Sequence, residues 1–109
     1  LMIERNADKA VVGAVDLFDF DPHHLRAGVG VLVDKSFQYQ GFGAEALELL
    51  VIYAFEFLKL KQLYAHVPVT NAVSKSLFAK LQFVHTGTLK SWLRQGNDFV
   101  DVDVLQRVQ

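Results

Sequence analysis

The segment Gln38-Tyr39-Gln40-Gly41-Phe42-Gly43 holds the residues whose types and spacing could do chemistry. It lies between an apolar run ending at Val33 and a second, longer one over residues 44–58. Paired glycines at a strand-to-helix turn let backbone N–H groups approach a ligand closely. With the positive end of the helix dipole they form an anion site, so the segment points to a phosphate-bearing ligand. Gly41 to Ala46 also fits the dinucleotide fingerprint G-x-G-x-x-A, which needs an acidic residue about 20 positions on, at the end of the next strand. His66, Val67 and Pro68 stand there instead, and two antiparallel strands precede the loop where a βαβ unit should begin. An ordinary tight turn is the bland alternative.

Other side chains offer weaker chemistry. His23 and His24 are adjacent, would point oppositely in a strand, and have no evident third ligand, so a solvated turn is expected and no metal site. Asp19, Asp21, His23, His24, Tyr64 and His66 are candidates for moving a proton, none of them singled out by spacing. Trp92 and Arg94 could line an acceptor site, with aromatic packing as the plainer reading. Phe78 and Phe83 read as core. Asp101 and Asp103 alternate with Val100, Val102 and Val104, which predicts a wet face on the last strand.

These residues need elements to position them. Residues 1–3 read as the end of a strand, and residues 10–20 and 25–33 as an antiparallel pair around Asp21-Pro22-His23-His24. Gly28 and Gly30 imply a bulge, or a backbone that a ligand approaches closely. Residues 41–58 read as one helix, with Glu45, Glu48, Ile52 and Glu56 outward and Leu47, Leu50, Val51, Ala54, Phe55 and Leu58 inward. A strand over 62–69 follows. Thr70 or Asn71 can cap a helix over 72–81 whose inner face is Val73, Leu77 and Leu81. Residues 83–93 and 99–108 are the last strands, joined by the hairpin signal Gln95-Gly96-Asn97-Asp98.

Bulk properties narrow the class. The 109 residues suffice for one domain with a core, and 51% of them are apolar. The net charge of −1 gives no basis for a nucleic-acid or membrane-surface partner. Cysteine is absent, which removes disulfides and thiol nucleophiles and fits a reducing, cytoplasmic setting. The longest apolar stretch is shorter than a membrane span and carries three glutamates. The start at Leu1, without a methionine, reads as a chain lacking an N-terminal part.

With these residues in view, the chain resembles the GNAT superfamily of N-acetyltransferases. That family's loop, Gln/Arg-x-x-Gly-x-Gly/Ala, is met by Gln38, Gly41 and Gly43. Its second signature is an Asn opening a helix that ends in a hydrophobic-Gly-Phe turn. Here it reads Asn71-Ala72-Val73-Ser74, then Leu77-Phe78-Ala79-Lys80-Leu81-Gln82-Phe83. The final hairpin looks like that of spermidine and ribosomal-protein N-terminal acetyltransferases. The resemblance implies an α/β fold, a mixed and largely antiparallel sheet flanked by helices. It also implies a single domain over residues 1–109 that lacks the family's first strand and first two helices. Acetyl-CoA is then the implied co-substrate, without a metal. Its pyrophosphate would rest on the N–H groups of Gln40, Gly41, Phe42, Gly43 and Ala44, and its pantetheine would run along Leu32 and Val33 like an added strand. Asn71 and Ser74 would flank it, with Phe78 near its sulfur end.

Three positions depart from the family. Phe78 stands where many members have a Tyr that protonates the departing thiolate, and it has no proton to give. Gly28 replaces a frequent Glu on the strand before the loop, and Gln82 replaces the helix-ending Gly. The catalytic residues are therefore left open. The implied activity is acetyl transfer to a primary amine by direct attack, the acceptor being a polyamine, another small amine or a protein N-terminus. The alternative is a non-catalytic acyl-CoA-binding module. A homodimer is a further arrangement, because a core missing one strand and two helices would expose apolar surface.

Overall fold

A computed structural model of the chain describes residues 2–4, 11–33 and 41–109. Strands β1 (Met2–Glu4), β2 (Val11–Asp21) and β3 (Arg26–Val33) lead to helix α1 (Phe42–Ile52), which runs on into a π-helical turn, Tyr53–Phe57. Then come β4 (Gln62–Pro68), helix α2 (Ala72–Lys80), β5 (Val84–Gln95) and β6 (Asp98–Val108). The strands form a six-stranded sheet in the order β1-β2-β3-β4-β6-β5. Every neighbouring pair is antiparallel except β3 and β4, which are parallel and joined by the α1 crossover.

One face of the sheet is the core. Val15, Ala27, Val29, Leu63, Ala65, Val67 and Leu105 are buried against Leu47, Leu50, Val51, Ala54 and Phe55 of the first helical segment and Phe78 of α2. Alternation along a strand sends every second residue to one side, so the partners between them, Phe18, Gly28, Tyr64 and His66, occupy the opposite face. No helix of the described residues is long and apolar enough to cross a membrane.

Four expectations need correction. The first helix does not run regularly to Leu58: Leu58 N–H donates to Tyr53 O (3.1 Å), a π-type bond. The wider turn keeps Ala54 and Phe55 inward and leaves Tyr53 and Phe57 outside, stacked at 5.7 Å. In α2 the fully inward residue is Phe78, while Val73, Leu77 and Leu81 are half-buried. The cause is the helix end. Phe83 N–H donates to Phe78 O (3.0 Å) and Gln82 N–H to Ala79 O (3.1 Å), a Schellman closure that folds Phe83 onto Phe78 with ring centroids 4.9 Å apart. Gln82 takes the left-handed conformation there (φ 68°), the one that glycine adopts without strain. Third, the irregular register of the β2–β3 pair falls between Phe18 and Asp21, not at Gly28 or Gly30. Fourth, Asp103 is buried (9% exposed). β6 lies between β4 and β5, and α2 covers it, so the alternating pattern did not mark a wet face.

Candidate functional site

The parallel pair parts early. β3 and β4 are in register only through Arg26↔Gln62, Ala27↔Leu63 and Gly28↔Tyr64, although β3 continues to Val33 and β4 to Pro68. An opening therefore begins beyond Gly28 and Tyr64, at the carboxyl ends of two parallel strands, where ligands of α/β sheets bind. α1 and α2 are the helices that follow those two strands in the chain.

The two helix starts are built differently. α1 begins at Gly41, which is left-handed (φ 86°); among the described residues it has no side-chain cap hydrogen bond and nothing within 4 Å of where a Cβ would stand. The helical ladder starts with Glu45 N–H donating to Gly41 O (3.0 Å), and the first N–H groups of a helix have no partner within it. Gly43 is buried, whereas Gly41 is exposed, with Phe42 and Ala44 between these extremes. α2 begins at Asn71, whose Oδ1 accepts from Ser74 N–H (3.1 Å). Of the two caps that the sequence offered, Asn71 and not Thr70 serves, and Ser74 is drawn beside it. Leu32 is 71% exposed near the end of β3, with Val33 next along the backbone. Gln38 and Gln40 lie outside the described residues. Phe78 is only 2% exposed and packs on Phe83. It is set into the core under α2 rather than into the opening.

Five of the six candidate proton carriers separate into two groups; the sixth, Asp19, stands in β2 with a left-handed backbone (φ 50°). Asp21 organises the β2–β3 turn: its Oδ1 accepts from His23 N–H (3.0 Å) and His24 N–H (2.9 Å), and its Oδ2 meets His24 Nδ1 (2.9 Å). The bond from the His24 backbone, then that from its ring, lowers the Asp21 pKa to about 2. His23 and His24 pack edge to face at 4.7 Å. These three residues hold a turn. Tyr64 and His66 instead stand at and beyond the point where the strands part, with ring centroids 5.7 Å apart.

Two groupings escaped the sequence reading. Phe18 pairs across β2–β3 with Gly28, and the Phe18 ring occupies the room over that glycine: a Cβ built on Gly28 would lie 2.3 Å from Phe18 Cε2. Phe18 and Gly28 are both five residues from His23, so a hairpin centred on that turn would have paired them. The other grouping surrounds Asp103. Lys75 Nζ (3.3 Å), His85 Nε2 (3.2 Å) and the Thr88 hydroxyl (3.1 Å) all reach its carboxylate. Burial pushes the Asp103 pKa up, but the Lys75 ammonium, Thr88 and His85 outweigh it and leave the group below its usual range. No sequence signal links Lys75 to Asp103, because α2 and β6 meet only in the tertiary fold. Asp101 is likewise held by Ser91 N–H (2.8 Å) and Lys90 Nζ (3.3 Å). Trp92, 57% exposed, is not a packing residue, and the Arg94 Nε–H donates to Gly96 O (3.2 Å) within the hairpin. Among the described residues no group of three or more His, Asp or Glu is placed to hold a metal ion.

Comparison with known proteins adds a family-level finding. Residues 1–84 match the family model described as an acetyltransferase (GNAT) domain. The chain is 28% identical to the uncharacterized N-acetyltransferase YoaA of Bacillus subtilis, over 98% of this chain and 60% of that protein. It is 28% identical to spermidine N(1)-acetyltransferase of Vibrio cholerae, over 80% of this chain and 50% of that protein. Among solved structures, mutant forms of the spermidine/spermine N-acetyltransferase SpeG from Vibrio cholerae superpose with a TM-score of 0.89 at 25% identity, covering 99% of this chain and 64% of that one. The chain thus spans 50–60% of the length of these two curated relatives.

Proposed function

The chain belongs to the GNAT acetyltransferase family, and from that membership we propose that it moves an acetyl group from acetyl-CoA to a primary amine. The observation that carries this reading is the start of α1. A left-handed glycine without a side-chain cap opens the helix that follows β3, the first strand of the parted parallel pair. That is chemistry suited to a pyrophosphate. Backbone N–H groups from Gln40 through Gly41, Phe42 and Gly43 to Ala44 would hold it, in the loop that Gln38 begins. The pantetheine arm would run along Leu32 and Val33, and Asn71 and Ser74 would flank it. Phe78 would serve by fixing α2.

In the reaction the neutral amine nitrogen attacks the thioester carbonyl. The C–N bond forms, the C–S bond breaks, the nitrogen loses a proton and the departing thiolate gains one. Alignment of amine and thioester can supply roughly 7–11 kcal/mol. A general acid or base adds about 10²–10⁴-fold, so the absence of a hydroxyl at Phe78 and of a carboxylate at Gly28 slows such a reaction without forbidding it. The acceptor we favour is a small cationic amine, supported by the likeness to a spermidine acetyltransferase, with a protein N-terminus as the other class. The same two departures favour a second reading, a module that binds acyl-CoA without turnover.

Calorimetric titration of acetyl-CoA, with Gly41→Asp as control, followed by thiol release across a panel of amines, tests both. Binding lost in the control and thiol released with one amine class supports the transferase. Binding without release supports the module, and no binding overturns both. The exposed ridge of Leu49, Tyr53 and Phe57 on the first helical segment further supports self-association. A monomeric mass by light scattering would overturn that part.

A further inference from the structure

We propose that Phe18 is a specificity-determining residue: seated over Gly28, its ring forms with Tyr64 and His66 an aromatic wall for the alkyl chain of a cationic amine. This rests on the amine-acetylation reading above and extends it to the acceptor side of the same opening.

The register places the wall. Phe18 is opposite Gly28 on β2–β3, and Gly28 is opposite Tyr64 on β3–β4. Cross-strand partners share a face, and His66, two residues beyond Tyr64, shares it too. This face is opposite the one covered by α1 and α2, and Gly28 and Tyr64 are the last pair before β3 and β4 separate. A thioester entering the opening with its phosphates on the start of α1 therefore meets its acceptor from this side.

Ring contacts and exposure give the wall its chemistry. A Cβ on Gly28 would come within 2.3, 2.6 and 2.8 Å of three Phe18 ring carbons, and one on Gly30 would stand 3.7 Å away, so the bare strand is the seat of the ring. The Phe18 ring meets Tyr64 edge to face at 6.3 Å and 87°, and Tyr64 meets His66 at 5.7 Å. Among the described residues Phe18 is 41% exposed and His66 is also exposed, so no described helix of this chain closes over the rings. Asp16 shares the face, opposite Gly30. Aromatic faces attract an ammonium and its methylenes, while a neutral chain of the same length gains less. The absence of a side chain at Gly28 is thus explained: any larger residue would displace Phe18.

The experiment measures steady-state acetylation of diaminobutane by the full chain, as wild type, Phe18→Ala and Phe18→Leu, with acetyl-CoA affinity determined separately. The Leu variant keeps apolar volume if the Ala variant fails to fold. NMR titration with diaminobutane, and with butanol as a neutral control, follows the Tyr64 and His66 ring resonances. The expected result is an amine KM raised about tenfold in both variants, a loss of about 1.4 kcal/mol, with acetyl-CoA affinity unchanged. Wild-type Tyr64 and His66 resonances should shift with the diamine and not with butanol. An unchanged amine KM, or a KM that rises only together with weaker acetyl-CoA binding, overturns the proposal. Should no amine be turned over, the transferase reading fails by itself. The wall is then decided by the titration: shifts that vanish in Phe18→Leu sustain it as a cation site, and their absence in the wild type overturns it.

Discussion

The two helix starts that follow the parting strands solve the same problem in opposite ways. At α2, Asn71 turns its side chain inward on the chain and satisfies Ser74 N–H at 3.1 Å. At α1, Gly41 offers no side chain, takes φ 86°, and has none of the described residues within 4 Å of the position of a Cβ. The two helices also differ in where glycine stands. α1 has it at its left-handed start, whereas α2 ends on a left-handed Gln82 that accepts the strain. α2 is tied down throughout, by the Asn71 cap, the Phe78–Phe83 stack and the Lys75–Asp103 pair. A helix start closed by its own side chain stabilises the fold. One without a side-chain cap is the start at which we propose the pyrophosphate binds.

The sharpest way to break this contrast is Gly41→Asp. A carboxylate placed where a pyrophosphate is proposed should weaken acetyl-CoA binding by about a hundredfold, about 2.7 kcal/mol, in calorimetry. Stability, followed by thermal unfolding, should fall only by the left-handed penalty of roughly 1–2 kcal/mol. Equal affinity in wild type and variant would remove the distinction. At the other start, Asn71→Ala should cost about 1 kcal/mol of stability in denaturant unfolding, with a smaller loss of affinity than Gly41→Asp. Should Asn71→Ala lose more affinity than Gly41→Asp, the assignment of roles would be reversed. Gln82→Gly should raise stability by about 0.5–1 kcal/mol by relieving the left-handed strain and leave ligand affinity unaltered. A destabilised variant would show that Gln82 contributes contacts that outweigh its backbone.

The smallest effect concerns pH. Asp103 has its pKa lowered in the folded protein, against about 3.9 when unfolded. Its contribution is therefore complete above the unfolded value and is lost as pH falls through the lower folded value. Acid unfolding of Asp103→Asn should be less steep than that of the wild type across this range, and α2 amides should exchange faster in the variant at neutral pH. Identical acid profiles would detach the ion pair from the anchoring of α2.

Much of this was legible locally. The loop glycines, the Asn71 cap, the Gly96-Asn97 hairpin turn and the inward stripe of Leu47, Leu50, Val51, Ala54 and Phe55 are decided by backbone sterics and periodicity, which neighbouring residues carry. The π-helical turn at Tyr53–Phe57 was not, because a regular helix and one with a wider turn share the same apolar spacing until packing chooses between them. Asp103 looked like a solvated residue because alternation counts one strand at a time and cannot see α2 above it.

The sequence by itself determined the order and type of the elements, which helix starts at a glycine and which at an Asn, and the family to which the loop points. The tertiary structure alone decided that β3 and β4 part after Gly28 and Tyr64, that Phe18 lies over Gly28, and that Lys75 reaches Asp103. The physical reason is range. Caps, turns and amphipathic stripes are settled within a few residues, whereas strand register and ring-on-glycine packing depend on groups that only the folded sheet brings together.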